Sequence, residues 1–96
     1  MRRFYLISYD ITDDKRRTRV FKLLDGWGDR VQFSVFCCQL NRREKLRLAE
    51  QLKPLINQKD DQVLFLDAGA VSGEEPLPTI GYLGRIWKPE PRCQIV

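Results

Sequence analysis

The chain contains no histidine. That absence excludes an imidazole general base, a Ser-His nucleophilic pair and any zinc site with a histidine ligand. Cysteine is scarce: Cys37 and Cys38 are adjacent and Cys93 is distant. Neighbouring strand residues point to opposite faces, so the pair makes neither a zinc knuckle nor a C-x-x-C redox motif. Packed free thiols are the reading. No apolar run approaches the roughly 20 residues that span a bilayer. The opening Met-Arg-Arg-Phe leads directly into a strand-like run holding Asp10, unlike a secretory signal. A cytoplasmic protein without membrane association is expected. Any chemistry must then use carboxylates, hydroxyls, basic groups or a hard metal ion.

What is present is enough for one small domain. The chain has 96 residues, 43% of them hydrophobic, and a formal net charge of +4. A domain of this size buries only roughly 60–65% of the surface its unfolded chain exposes. It is marginally stable alone, and oligomerisation is a common remedy. The positive bias is modest, but it is concentrated at 15–19 and again at 42–47. Clustered charge of that kind favours a polyanionic partner.

Residues 4–9 are aromatic and aliphatic on both faces, as in a central strand covered on both sides. Thr12 is placed to cap the following helix, with Asp13 and Asp14 in its first turn. Val20, Leu23, Leu24 and Trp27 form one helical stripe, and Gly26 and Gly28 close the helix. Residues 30–40 are strand-like but long for one strand, so either two short strands or one bent strand is expected. Asn41 followed by Glu44 resembles a capping box opening a second helix. Pro54 should kink or end it. Residues 63–66 read as a short buried strand. From Gly69 the chain becomes loop-like, with a further strand over 80–87 and an apolar tail at 93–96. The fold class is therefore α+β, a ferredoxin-like βαββαβ sandwich, with residues 1–68 as the core. Residues 69–96 are expected to form a loop and a C-terminal strand segment whose apolar tail packs on another surface, a partner subunit being one candidate.

Asp10 stands at the carboxyl end of the first strand, where sites on α/β sheets tend to form. Two readings are open from position alone: a carboxylate that caps a turn, and an oxygen ligand for Mg²⁺, which one or two carboxylates can hold. In a twofold dimer a second Asp10 would face the first, and the pair would need a cation between them. Lys15, Arg16, Arg17 and Arg19 follow closely. They form either a solvated helix face or phosphate ligands, arginine being suited to bidentate phosphate contact. Arg42, Arg43, Lys45 and Arg47 are a second solvated face or an extension of that track. Tyr5, Tyr9, Phe33 and Phe36 read as core rather than as stacking platforms. Ser34 has no base partner in the sequence.

The run Tyr-Asp-Ile-Thr-Asp-Asp-Lys-Arg-Arg-Thr-Arg-Val at 9–20, then Gly28, then Arg-Val-Gln-Phe-Ser-Val-Phe at 30–36, resembles the small CRISPR-associated adaptation subunit family, also called CRISPR-associated endoribonucleases. The resemblance covers roughly residues 4–68. It implies a ferredoxin-like homodimer whose closing C-terminal strands cross onto the partner's sheet. It also implies a partner role beside the CRISPR integrase in acquiring spacers from foreign nucleic acid. A Mg²⁺- or Mn²⁺-dependent endonuclease activity is implied, on single-stranded RNA or double-stranded DNA. Asp10 matches the family's catalytic and metal-binding aspartate, Tyr9 the tyrosine before it, and Arg17, Arg19 and Arg30 its basic positions. Arg16 joins these as a nucleic-acid ligand from its place in the basic run, and Ser34 and Phe36 lie in the second motif. Where many relatives carry an acidic residue after that motif, this chain has Cys37-Cys38. An architectural alternative stays open, in which the dimer is a basic bridge holding duplex DNA and catalysis is dispensable for acquisition. So does a regulatory or protein-interaction domain, since fold does not fix function.

Overall fold

The alternating hydrophobic patterns condense into the expected order of elements. The computed structural model describes residues 1–75, 77–81 and 83–84. Its elements are β1 (Arg3–Asp10), α1 (Asp14–Asp25), β2 (Asp29–Gln32), β3 (Val35–Leu40), α2 (Arg42–Leu52), a 3₁₀ turn (Lys53–Leu55) and β4 (Gln62–Ala70). The four strands form one antiparallel sheet in the order β2-β3-β1-β4. This is the ferredoxin-like βαββαβ arrangement, with the first strand in the interior between β3 and β4. Residues 30–40 resolve into two short strands joined by a tight turn at 33–34.

Register explains the layering. Tyr5, Ile7 and Tyr9 share one face of β1 and pack with Val20 and Leu24 of α1, Leu48 and Leu52 of α2, and Phe36, Cys38 and Leu40 of β3. Both helices therefore lie on that face. The opposite face carries Leu6 opposite Leu66, and Ser8 opposite Leu64. Leu64 and Leu66 are exposed at 51% and 61%. The short buried strand expected at 63–66 is thus a nine-residue strand, at the sheet edge among the described residues and partly buried on one side only. Val63 and Phe65 turn towards the helices, and the two leucines turn away from them. No helix among the described residues covers that second face.

The caps show the same local logic. Asn41 accepts from the Glu44 N–H at 2.8 Å, and Glu44 Oε1 accepts from the Asn41 N–H at 2.9 Å, completing the expected capping box. α2 ends at Leu52, and Pro54 sits in the 3₁₀ turn that follows. At α1 the cap is Asp13 rather than Thr12. The helix begins one residue later than expected, so the Asp13 carboxylate reaches the Arg16 N–H at 2.9 Å. Thr12 is engaged elsewhere.

β4 runs to Ala70, and Gly69 within it has φ +104. The strand expected over 80–87, the apolar tail at 93–96 and their pairing with a partner lie outside the described residues, apart from Ile80, Gly81, Leu83 and Gly84. Those four are in no strand.

Candidate metal and nucleic-acid site

Asp10 is the last residue of β1 and is exposed, opposite Gln62. Its carboxylate makes no side-chain hydrogen bond or ion pair among the described residues, whereas those of Asp13, Asp14 and Asp61 are engaged. Asp13 caps α1. Asp14 accepts from Arg17 Nη1 at 2.6 Å. Asp61, arriving at the start of β4, carries the turn itself.

The Asp61 side chain is fully buried from solvent. It accepts from Arg16 Nε at 2.7 Å and Nη2 at 3.2 Å, from the Thr12 N–H at 3.1 Å and hydroxyl at 3.2 Å, and from the Asn57 N–H at 2.8 Å. Five donors converge on one carboxylate. Arg16 above all, then the Asn57 and Thr12 amides, hold its pKa well below the usual carboxylate range, against the opposing effect of burial. This network pins the turn after Asp10 to the loop before β4. A depressed pKa contributes stability that is complete above the unfolded carboxylate's value, near pH 4, and is lost as the pH falls towards the folded one. Asp61→Asn should therefore lower Tm at neutral pH. The gap from the wild type should narrow as pH falls from about 5 towards about 2. Thermal denaturation followed by circular dichroism across that range checks it, and a gap independent of pH would rule out ionised Asp61 as the clamp.

The arginines divide. Arg16 is committed to Asp61, and Arg17 to Asp14 and to the Ile11 carbonyl, at 3.3 Å from Nε and 3.1 Å from Nη2. Arg19 is exposed on α1 with no ion pair among the described residues. Arg30 on β2 lies 4.9 Å from the Phe21 ring centroid and 5.0 Å from that of Phe33, and its Nη2 donates to the Phe33 carbonyl at 3.1 Å. Tyr9 is buried; its hydroxyl donates to the same carbonyl at 3.2 Å, and its N–H donates to the Ser34 carbonyl at 3.1 Å. Burial raises the Tyr9 pKa, opposed by the positive charges of Arg30 and Arg17. The Phe36 ring is fully buried, stacked 6.4 Å from Tyr9. Phe33, expected in the core, is 71% exposed because the turn carries it past the end of both strands. Tyr9, Arg17, Arg30, Ser34 and Phe36 thus gather around the strand end that presents Asp10.

Sequence reasoning missed Asp61 and the exposure of Phe33. An acidic residue just ahead of the strand that pairs with β1 was the available signal, but its use depends on knowing that pairing. Cys37 and Cys38 are buried thiols. Burial pushes the Cys37 thiol up to about 11, so it is inert, and this stretch of β3 supplies no carboxylate. Among the described residues no three His, Cys, Asp or Glu side chains converge on a metal position. Among the described residues Asp10 is an unengaged hard-oxygen ligand at this strand end. That suits Mg²⁺, which keeps most of its water shell. No helix among the described residues is long and apolar enough to cross a membrane.

The family model described as CRISPR associated protein Cas2 matches residues 1–72. A CRISPR-associated endoribonuclease Cas2 from Geobacter sulfurreducens is 32% identical over 96 residues, covering all of this chain and 99% of that one. One from Thermus thermophilus is 46% identical over 74 residues, covering 74% of this chain and 79% of that one. Among solved structures, hypothetical protein TT1823 from Thermus thermophilus superposes with a TM-score of 0.68 at 33% identity, covering 94% of this chain and all of that one. Streptococcus pyogenes Cas2 does so with a TM-score of 0.62 at 29% identity, covering 81% of this chain and 99% of that one.

Proposed function

The chain belongs to the CRISPR-associated Cas2 family, and from that premise we propose that it is a metal-dependent endonuclease acting on phosphodiester bonds of single-stranded RNA or double-stranded DNA. The observation that carries this reading is the state of Asp10. A carboxylate needed only to cap the turn would be engaged there, but Asp13 and Asp61 fill those roles and Asp10 is left exposed. Asp10 would hold Mg²⁺ or Mn²⁺ through its oxygens, completed by Asp10 of a second copy in a homodimer. The bound ion would supply an activated water and charge stabilisation at the phosphate. Arg19 is available to meet phosphate directly. Arg17 supplies positive charge beside Tyr9 while bracing the turn. Arg16 acts through Asp61, holding the turn that follows Asp10. Tyr9 and Ser34 fix the β2–β3 turn against β1.

The biological setting that fits is spacer acquisition beside the CRISPR integrase. Two exposed basic faces favour a second, architectural reading of the same dimer as a bridge along duplex DNA. These are Lys15 and Arg19 on α1, and Arg42, Arg43 and Arg47 on α2. Lys45 does not join them, since its ammonium lies 4.9 Å from the Tyr5 ring centroid.

Metal removal separates the two. Chelation should lower cleavage of a labelled single strand or duplex by at least about a hundredfold, the rate equivalent of several kcal/mol. Added Mg²⁺ or Mn²⁺ should restore it. Duplex binding that persists with no cleavage under either condition would leave the architectural reading standing alone.

A further inference from the structure

We propose that Phe33 is a stacking platform for an unpaired nucleobase, placed to hold a single strand beside Asp10. The proposal rests on the reading of this strand end as a phosphodiester-binding site. Scattered exposed apolar side chains are ordinary on protein surfaces. Phe33 differs in what surrounds it. The ring is 71% exposed at the tip of the β2–β3 turn, yet its backbone is tightly fixed. Its carbonyl accepts from both the Tyr9 hydroxyl and Arg30 Nη2, and the next carbonyl accepts from the Tyr9 N–H. Two of those bonds tie the turn to Tyr9, the residue immediately before Asp10, and the third ties it to Arg30.

The ring is also electrostatically matched to its partner. The Arg30 guanidinium is 5.0 Å from its centroid and is itself set by the Phe21 ring at 4.9 Å. An aromatic surface on a hydrogen-bonded turn with a cation beside it meets the needs of one nucleotide, and the same turn is tied through Tyr9 to the strand end that carries Asp10. The base stacks on the ring, the phosphate lies near positive charge, and the backbone runs past Asp10. Stacking of this kind tolerates any base, because every base has a π-face. A base within a duplex has both faces covered by its neighbours, so the platform selects single strands or flipped nucleotides. It therefore sets substrate form rather than sequence.

The test is binding of a short single-stranded oligoribonucleotide and of a matched DNA duplex to the full chain in chelator, so that nothing is cut. Phe33→Ala should raise Kd for the single strand by about five- to 150-fold and leave duplex affinity within about twofold. Phe33→Trp should bind the single strand at least as tightly as the wild type. Phe33→Leu, apolar but without a π-face, should bind as weakly as the alanine variant. Circular dichroism and the elution volume on gel filtration should not change, since the ring is exposed. Wild-type affinity in the leucine variant, equal losses for single strand and duplex, or no single-strand binding by the wild type would each overturn the platform. A change in oligomeric state with Phe33→Ala would overturn it too, by placing the ring against a second copy. The nuclease reading fails separately. Single-strand binding that depends on Phe33, with no cleavage in Mg²⁺, would sink that reading and leave the platform. Metal-dependent cleavage with unchanged binding by Phe33→Ala would do the reverse.

Discussion

Asp10→Asn should reduce metal-dependent cleavage by at least about a hundredfold, to the level seen in chelator, while leaving the fold intact. The substitution keeps shape and hydrogen-bonding capacity but removes the anionic oxygen that a hard cation requires. Because the carboxylate is exposed and makes no side-chain contact among the described residues, its neutralisation removes no native bond. Exposed substitutions of that kind change stability by about 0.5 kcal/mol or less, so Tm should hardly move. Cleavage of a labelled oligonucleotide and thermal denaturation on the same preparation give the two readouts. Retained cleavage would remove Asp10 from the chemistry. A large fall in Tm would return it to the role of a turn-capping carboxylate, which Asp13 and Asp61 already fill.

Gly28→Ala should be the most damaging single methyl in the core. Gly28 is buried just past α1, and a Cβ there would lie 2.4 Å from both the Cys37 carbonyl oxygen and the Cys38 sulfur. A side chain can rotate away, but a strand carbonyl cannot move without disturbing the β2–β3 pairing. Overpacking costs about 1–3 kcal/mol and occasionally more, and a backbone obstacle puts this site at the upper end. For a domain of this size that is a fall in Tm of more than about 10 °C. Cys38→Ala in the same chain should recover only part of it, since it clears the sulfur and leaves the carbonyl. Full recovery would mean that the strand had shifted. Thermal denaturation of the single and double variants decides.

The path of the chain was largely legible because it rests on local signals. The stripe through Val20 and Leu24, the Asn41–Glu44 box and the residues flanking Pro54 each act within a turn or two. What the sequence concealed depends on neighbours from distant parts of the chain. Leu64 and Leu66 look like core residues beside Val63 and Phe65, and only the one-sided placement of the helices turns them outward. Phe33 continues the apolar alternation of its strand on paper, but the turn removes it. Arg16 and Arg17 sit in the same basic run as Arg19, yet carboxylates and a carbonyl draw the first two back to the protein. Charge clustering is visible in a sequence. Which charges are already engaged is decided by folding, and Asp61 is the clearest case.

The position of β4 also governs when the turn after Asp10 is fixed. A ribosome delivers Asp10 long before it delivers Asp61 and the strand Gln62–Ala70. Until that strand docks, Arg16 lacks its acceptor and β1 has one bare edge. A nascent chain therefore carries Asp10 without the frame that places it. The turn after Asp10 is thus clamped only once Asp61 has been made and β4 has paired with β1.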